Sequence, residues 1–166
     1  MCRLVTHTAA VAALWVALSG SAAADFGKDI AGTWMLVSNV IERTDGSKVL
    51  PFGPNPMGIF ILDGSGHFTI VISRTDVPKF AANNRENGTA EENQAAVRGS
   101  IAYFGTYTAN EPDRTITVKI TGSTFPNWVG TEQKRQLTIA GDEMHYVNPT
   151  PSVGSGSANI VWRRAK

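Results

Sequence analysis

Thr131-Glu132-Gln133-Lys134-Arg135-Gln136-Leu137-Thr138-Ile139-Ala140-Gly141-Asp142-Glu143-Met144-His145-Tyr146-Val147-Asn148 carries the clearest hairpin signal in the chain. Two runs, Thr131–Ala140 and Glu143–Asn148, flank the turn signal Ala140-Gly141-Asp142. A connection that short makes the runs antiparallel neighbours, a β-hairpin. Because side chains alternate along a strand, Leu137 and Ile139 share one face with Gln133 and Arg135. In the second run Val147 shares a face with His145 and Glu143, while Met144 and Tyr146 take the other, so its inward face is ambiguous.

The same pattern extends in both directions. Six further runs rich in Val, Ile, Thr and aromatic residues are Thr33–Arg43, Gly58–Leu62, His67–Arg74, Phe104–Ala109, Thr115–Ser123 and Ala158–Ala165. Asp63-Gly64-Ser65-Gly66 and Asn110-Glu111-Pro112-Asp113 supply further tight turns. Between the third and fourth runs, Thr89 and Glu92 have the spacing of a capping box, which predicts an inserted helix of about three turns over 89–98. Eight sequential strands with short connections predict an all-β chain closed as an eight-stranded antiparallel up-and-down β-barrel. A two-sheet sandwich is the alternative architecture.

At the other end of the chain, Arg3 precedes an unbroken apolar run, Ala9–Leu18, which gives way to Ser19-Gly20-Ser21-Ala22-Ala23-Ala24. Small residues at Ala22 and Ala24 fit a signal-peptidase site, so residues 1–24 are expected to be cleaved and the protein exported, to the periplasm or the medium. The run is far too short for an integral membrane segment. The remaining 142 residues, 25–166, form one domain with equal numbers of basic and acidic side chains and no cysteine. That composition argues against nucleic acid as a partner and excludes thiol chemistry and Cys-ligated metals from the mature chain. The Asn87-Gly88-Thr89 sequon matters only in a eukaryotic secretory pathway.

Gly32-Thr33-Trp34 opens the first run and Trp162-Arg163-Arg164 closes the last, a pairing that resembles the calycin group, where an Arg near the chain's end lies over a Gly-x-Trp indole and seals one end of the barrel. Pro51-Phe52-Gly53-Pro54-Asn55-Pro56-Met57-Gly58, Ile101-Ala102-Tyr103-Phe104-Gly105-Thr106-Tyr107 and Phe125-Pro126-Asn127-Trp128-Val129-Gly130-Thr131 resemble the lipocalin-like domain family of small bacterial and fungal proteins, over roughly 30–164. The resemblance implies the barrel and its Trp–Arg closure. It carries over no ligand and no catalytic residue.

Candidate site residues therefore come from parity and chemistry. Arg74 follows Phe68, Ile70 and Ile72 on one face, which places it with Arg135 on the interior side near strand ends. Two such guanidinium groups could clamp an anion, or pair with Glu132 or Glu143, or reach outward to water. His145 is the one plausible general base, or else a strand histidine satisfied by a neighbour; His67 follows a glycine-rich turn and is expected to be solvated. Trp128 either caps a cavity or anchors its loop. Pro51–Gly58 reads as a rim loop with an exposed Phe52. No spacing suggests a metal site, and no cofactor is called for.

Three readings follow. The first is a binding module that takes a small hydrophobic ligand, an acidic one included, with Arg74, Tyr107, Trp128, Gln133, Arg135 and His145 as candidate contacts. The second is a cofactor-independent isomerase or cyclase, with His145, Tyr103 or Tyr107 as acid or base and an arginine stabilising negative charge. The third is a structural or interaction barrel whose interior is filled by Phe60, Phe68, Phe104, Tyr107 and Trp128. Oligomeric state is not encoded in any of these features.

Overall fold

The computed structural model describes residues 26–166, so the expected export signal lies outside the described residues. A short helix, α1 (Phe26–Ile30), leads into nine strands: β1 (Gly32–Glu42), β2 (Lys48–Val49), β3 (Met57–Leu62), β4 (His67–Ser73), β5 (Ser100–Asn110), β6 (Thr115–Ser123), β7 (Glu132–Ala140), β8 (Glu143–Asn148) and β9 (Ser157–Arg164). Every pairing is antiparallel. From β3 to β9 each strand pairs with its successor, and β1 pairs with both β3 and β9, which closes eight strands into a barrel and removes the sandwich. The two-residue β2 rides on the far end of β1.

Closure disposes of the edge strands that an open sheet of this length would expose. The helix α2 (Ala90–Gly99) has the expected capping box, with the Glu92 amide donating to Thr89 Oγ1 (3.2 Å) and the Thr89 amide to a Glu92 carboxylate oxygen (2.9 Å). With β2 counted, α2 follows the fourth strand of the fold, not the third. β5 begins at Ser100, four residues before the expected start, because Ile101 and Tyr103 extend its buried alternation.

One end of the barrel is a floor. Phe26 and Ile30 of α1 are buried there, and Trp34 beside them is fully buried, donating its indole N–H to the Ile30 carbonyl at 2.9 Å. The Arg164 guanidinium lies 4.1 Å from the Trp34 ring centroid and donates to the carbonyls of Ala31 and Asp29, at 3.0 and 2.6 Å. The expected Trp–Arg closure is present, and it explains Gly32: φ is +131° there, and a Cβ would sit 2.9 Å from an Arg164 nitrogen. Above the floor, Phe60 meets Tyr146 edge-on and tilts against Trp162, with ring centroids 5.7 and 5.5 Å away. This half of the interior is filled by side chains.

A β-bulge in β1 shapes the other half. The register with β9 slips between Leu36 and Ser38, leaving Val37 as the extra residue. Below the slip Trp34 faces inward; above it Asn39 and Ile41 do, so the bulge exchanges the two faces of the strand.

Candidate functional site at the barrel mouth

The mouth lies where Asn39, Ile41, Ile72, Ile101, Asn148 and Ile160 end the inward rows of their strands. A cavity of about 30 Å³ remains among them. That is room for water, for which ~10–15 Å³ suffices, and well short of the ~150 Å³ that holds a benzene ring. Phe52 closes it from above. This residue is buried, only 8% exposed, and is not the exposed rim aromatic that its Gly/Pro-rich setting suggested. The turn in which the Gly53 amide donates to the Leu50 carbonyl, with φ of +76° at Gly53, folds the ring down over the opening.

Outside this plug, Phe52, Ile101, Ser152 and Val153 also border a vestibule of about 390 Å³ against α2 and Phe125. Its walls are largely apolar: Val97 of α2 is 75% exposed and Val153 about half exposed. A groove of that size and polarity can take the body of a small ligand.

Trp128 belongs to the mouth. A single 3₁₀ turn, Pro126–Trp128, lays its ring edge-on against Tyr103 (5.1 Å) and Phe125 (5.7 Å). It lines the cavity and anchors its loop at the same time.

Arg135 is fully buried, at 1% exposure, and faces the interior as parity predicted. Its Nε donates to the Tyr146 hydroxyl (3.0 Å), one terminal nitrogen to the Lys134 carbonyl (2.9 Å) and the other to Gln133 Oε1. Gln133 in turn donates to Thr131 Oγ1 at 2.9 Å. Among the described residues no carboxylate pairs with Arg135: Glu132 is exposed, and Glu143 is engaged by His145 and Arg163 on the outer surface. Among the described residues a permanently charged group is thus held in the interior by neutral acceptors alone, an arrangement that carries a desolvation cost.

Tyr103 walls the cavity and lies within electrostatic reach of this cluster. Burial, with Tyr146 beside it, pushes the Tyr103 phenol well above its ordinary range, while Arg135 pulls the other way. An acid whose ionisation is delayed by folding contributes stability below the unfolded value of about 10 and loses it as pH rises beyond. In an ultraviolet difference titration of the folded protein, Tyr103 is therefore expected to stay protonated above pH ~10, and stability is expected to decline from there upward. A full-amplitude ionisation of all three tyrosines without unfolding would contradict this placement.

Three candidates lie elsewhere. Arg74 follows the end of β4 and forms a two-pronged ion pair with Asp76 at the surface, both contacts 2.7 Å, so it does not join Arg135. The strand ends one residue too early for its parity to hold. His145 projects outward, half exposed, with Nε2 3.0 Å from a Glu143 oxygen; Met144 and Tyr146 take the inner face of β8. Tyr107 sits at the floor end, its hydroxyl donating to the Asp63 carbonyl at 2.7 Å and its amide to that of Gly66. Of the acid–base candidates in the isomerase reading, His145 and Tyr107 therefore lie away from the mouth, and Tyr103 alone lines the cavity near Arg135. The filled-barrel reading also fails in part, since Phe104 is 53% exposed on the outer face. His67 follows the turn at the start of β4 and is solvated as expected, beside Asp63 and Ser65.

The residue that parity missed is Asn39. Counted by twos from Trp34 it points outward; the bulge at Val37 turns it in. The available signal was that Trp34 and Ile41, seven apart, cannot both face a core along an unbroken strand.

A closed antiparallel barrel with a plugged floor, a polar cluster at mid-height and an apolar vestibule over its mouth is the architecture of a lipocalin-like binding barrel. The family model described as the lipocalin-like domain matches residues 31–165, and the chain belongs to that family. It is also similar to the 4'-hydroxy-3'-methoxypropiophenone carrier protein ppsC of Aspergillus oryzae, with 31% identity over 104 residues, covering 56% of this chain and 92% of that protein.

Proposed function

We propose that the protein is an exported carrier of a small, largely apolar molecule, held at the barrel mouth with an acidic or acceptor group turned toward Arg135, Tyr146 and Tyr103. The observation that carries this reading is the buried Arg135 guanidinium with no carboxylate partner among the described residues, next to a cavity wall. An acceptor on the ligand would offset the cost of that charge, and in the low-dielectric interior such contacts are stronger than in water. The vestibule gives the apolar body a place to dock before Phe52 moves aside. The relative is named as a carrier of an aryl ketone, which makes aromatic carbonyl compounds the first class to try here. Export rests on Arg3, the apolar run Ala9–Leu18 and the small residues through Ala24, and implies a periplasmic or extracellular site of action.

Native mass spectrometry of the protein purified from its own host tests this. A reproducible added mass that denaturing extraction releases is expected, and the released compound should be apolar with an acceptor group. A ligand-free mass, together with no binding of aromatic acids or ketones by calorimetry, would overturn the proposal.

A further inference from the structure

We infer that Asn39 reads a hydrogen-bond donor on the ligand, so that the molecule carried is a hydroxyl-bearing aromatic. This rests on the proposal that the mouth is a ligand site, and it adds the ligand's second polar group. Asn39 is 95% buried and lines the inner cavity. Its Oδ1 is out of solvent and has no hydrogen-bond partner among the described residues. A buried acceptor left unpaired is costly, and native interiors satisfy such atoms with protein, water or ligand. Asn148 across the mouth does not share the task, because its Oδ1 already accepts the Thr150 amide at 2.9 Å.

The backbone has been bent to bring this carboxamide in. Without the bulge at Val37, Val40 would point inward and the upper wall of β1 would be wholly apolar. Asn39 lines a cavity with room for a water-sized group, and a ligand hydroxyl placed at its carboxamide makes a hydrogen bond that a methyl ether cannot. The neighbouring surfaces are aromatic: Phe52 above, with Tyr103 and Trp128 to one side. Such rings favour a flat π-system in edge-to-face or offset contact. A hydroxyl on an aromatic ring reaching past Phe52 meets both requirements at once.

The probes are 4-hydroxyacetophenone and its methyl ether, 4-methoxyacetophenone, titrated calorimetrically at pH ~6, where the phenol is un-ionised and anion attraction is absent. The wild-type protein is expected to bind the phenol about ten- to a hundredfold more tightly than the ether. Asn39→Leu is expected to remove that preference while leaving ether affinity within about threefold. Should the leucine variant lack β-sheet circular dichroism, Asn39→Val, which is smaller, suits a strand and carries no acceptor, is expected to lose the same preference. Equal binding of the two probes to wild type, or a preference that survives loss of Asn39, overturns the inference and leaves the carrier reading intact. If neither probe binds, the native mass separates the cases: a bound ligand without an aromatic hydroxyl sinks only the role of Asn39, one with it supports that role, and an unliganded mass sinks both.

Discussion

Arg135→Met is expected to make the empty protein harder to unfold and at the same time to abolish its preference for acidic ligands. The guanidinium is buried among neutral groups, Tyr146, Gln133 and a backbone carbonyl, with no carboxylate to balance it among the described residues. Desolvating a cation costs several kcal/mol, and replacing buried ionic groups by well-packed apolar ones of similar volume is often stabilising by about 1–4 kcal/mol. Methionine has the length and adaptability to fill the space. That range is already net of the hydrogen bonds lost with the charged group. We expect the desolvation term to win, giving a denaturant midpoint above wild type with an unchanged m-value. In the same variant, affinities for 4-hydroxybenzoate and its methyl ester should converge. A midpoint that falls by more than about 1 kcal/mol equivalent would show that Arg135 supports the fold and is not held at its expense for a ligand.

Trp34→Ala should act in the opposite sense and more severely. The indole is fully buried, its N–H is satisfied by Ile30, and its face supports the Arg164 guanidinium. Removal leaves a cavity at the floor, an unpaired Ile30 carbonyl and an arginine without its π-surface. Large-to-small core changes of this kind cost about 3–5 kcal/mol, against a total stability of about 5–15 kcal/mol for a domain. With no cysteine in the described residues to form a disulfide, nothing covalent compensates. Trp34→Phe keeps an aromatic face but not the N–H, and should cost about 1–2 kcal/mol. Urea unfolding of the three proteins checks the order; a loss below about 1 kcal/mol for the alanine variant would mean that α1 and Arg164 do not depend on this ring.

The barrel was legible from its hairpins because period-two alternation and tight turns are local signals, and the floor was legible because Gly32, Trp34 and Arg164 form a recognisable set. Arg135 was placed inward correctly for the same reason, deep within a regular strand. Misplacements occurred where regularity stops. Arg74 lies just beyond the end of β4, where its partner Asp76 is two residues away in sequence and outcompetes any interior role. His145 could not be assigned a face because Val147 and Tyr146 were equally good candidates for the core. Asn39 was hidden by a bulge, which is an agreement between two strands and leaves no mark on either alone. The burial of Phe52 has no local signature, since a Gly/Pro-rich loop signals a turn but not which way its aromatic folds.

The sealed floor has a kinetic consequence. On the proposed function, a ligand would enter and leave by the mouth, because α1, Trp34 and Arg164 seal the other end among the described residues. If displacement of the Phe52 turn limits passage, uptake and release share one barrier, and a change that merely loosens the turn multiplies both rate constants by the same factor. Residence time could then be adjusted without altering equilibrium occupancy, so that how long a molecule is kept and how tightly it is held become separate properties of the turn and of the chamber beneath it.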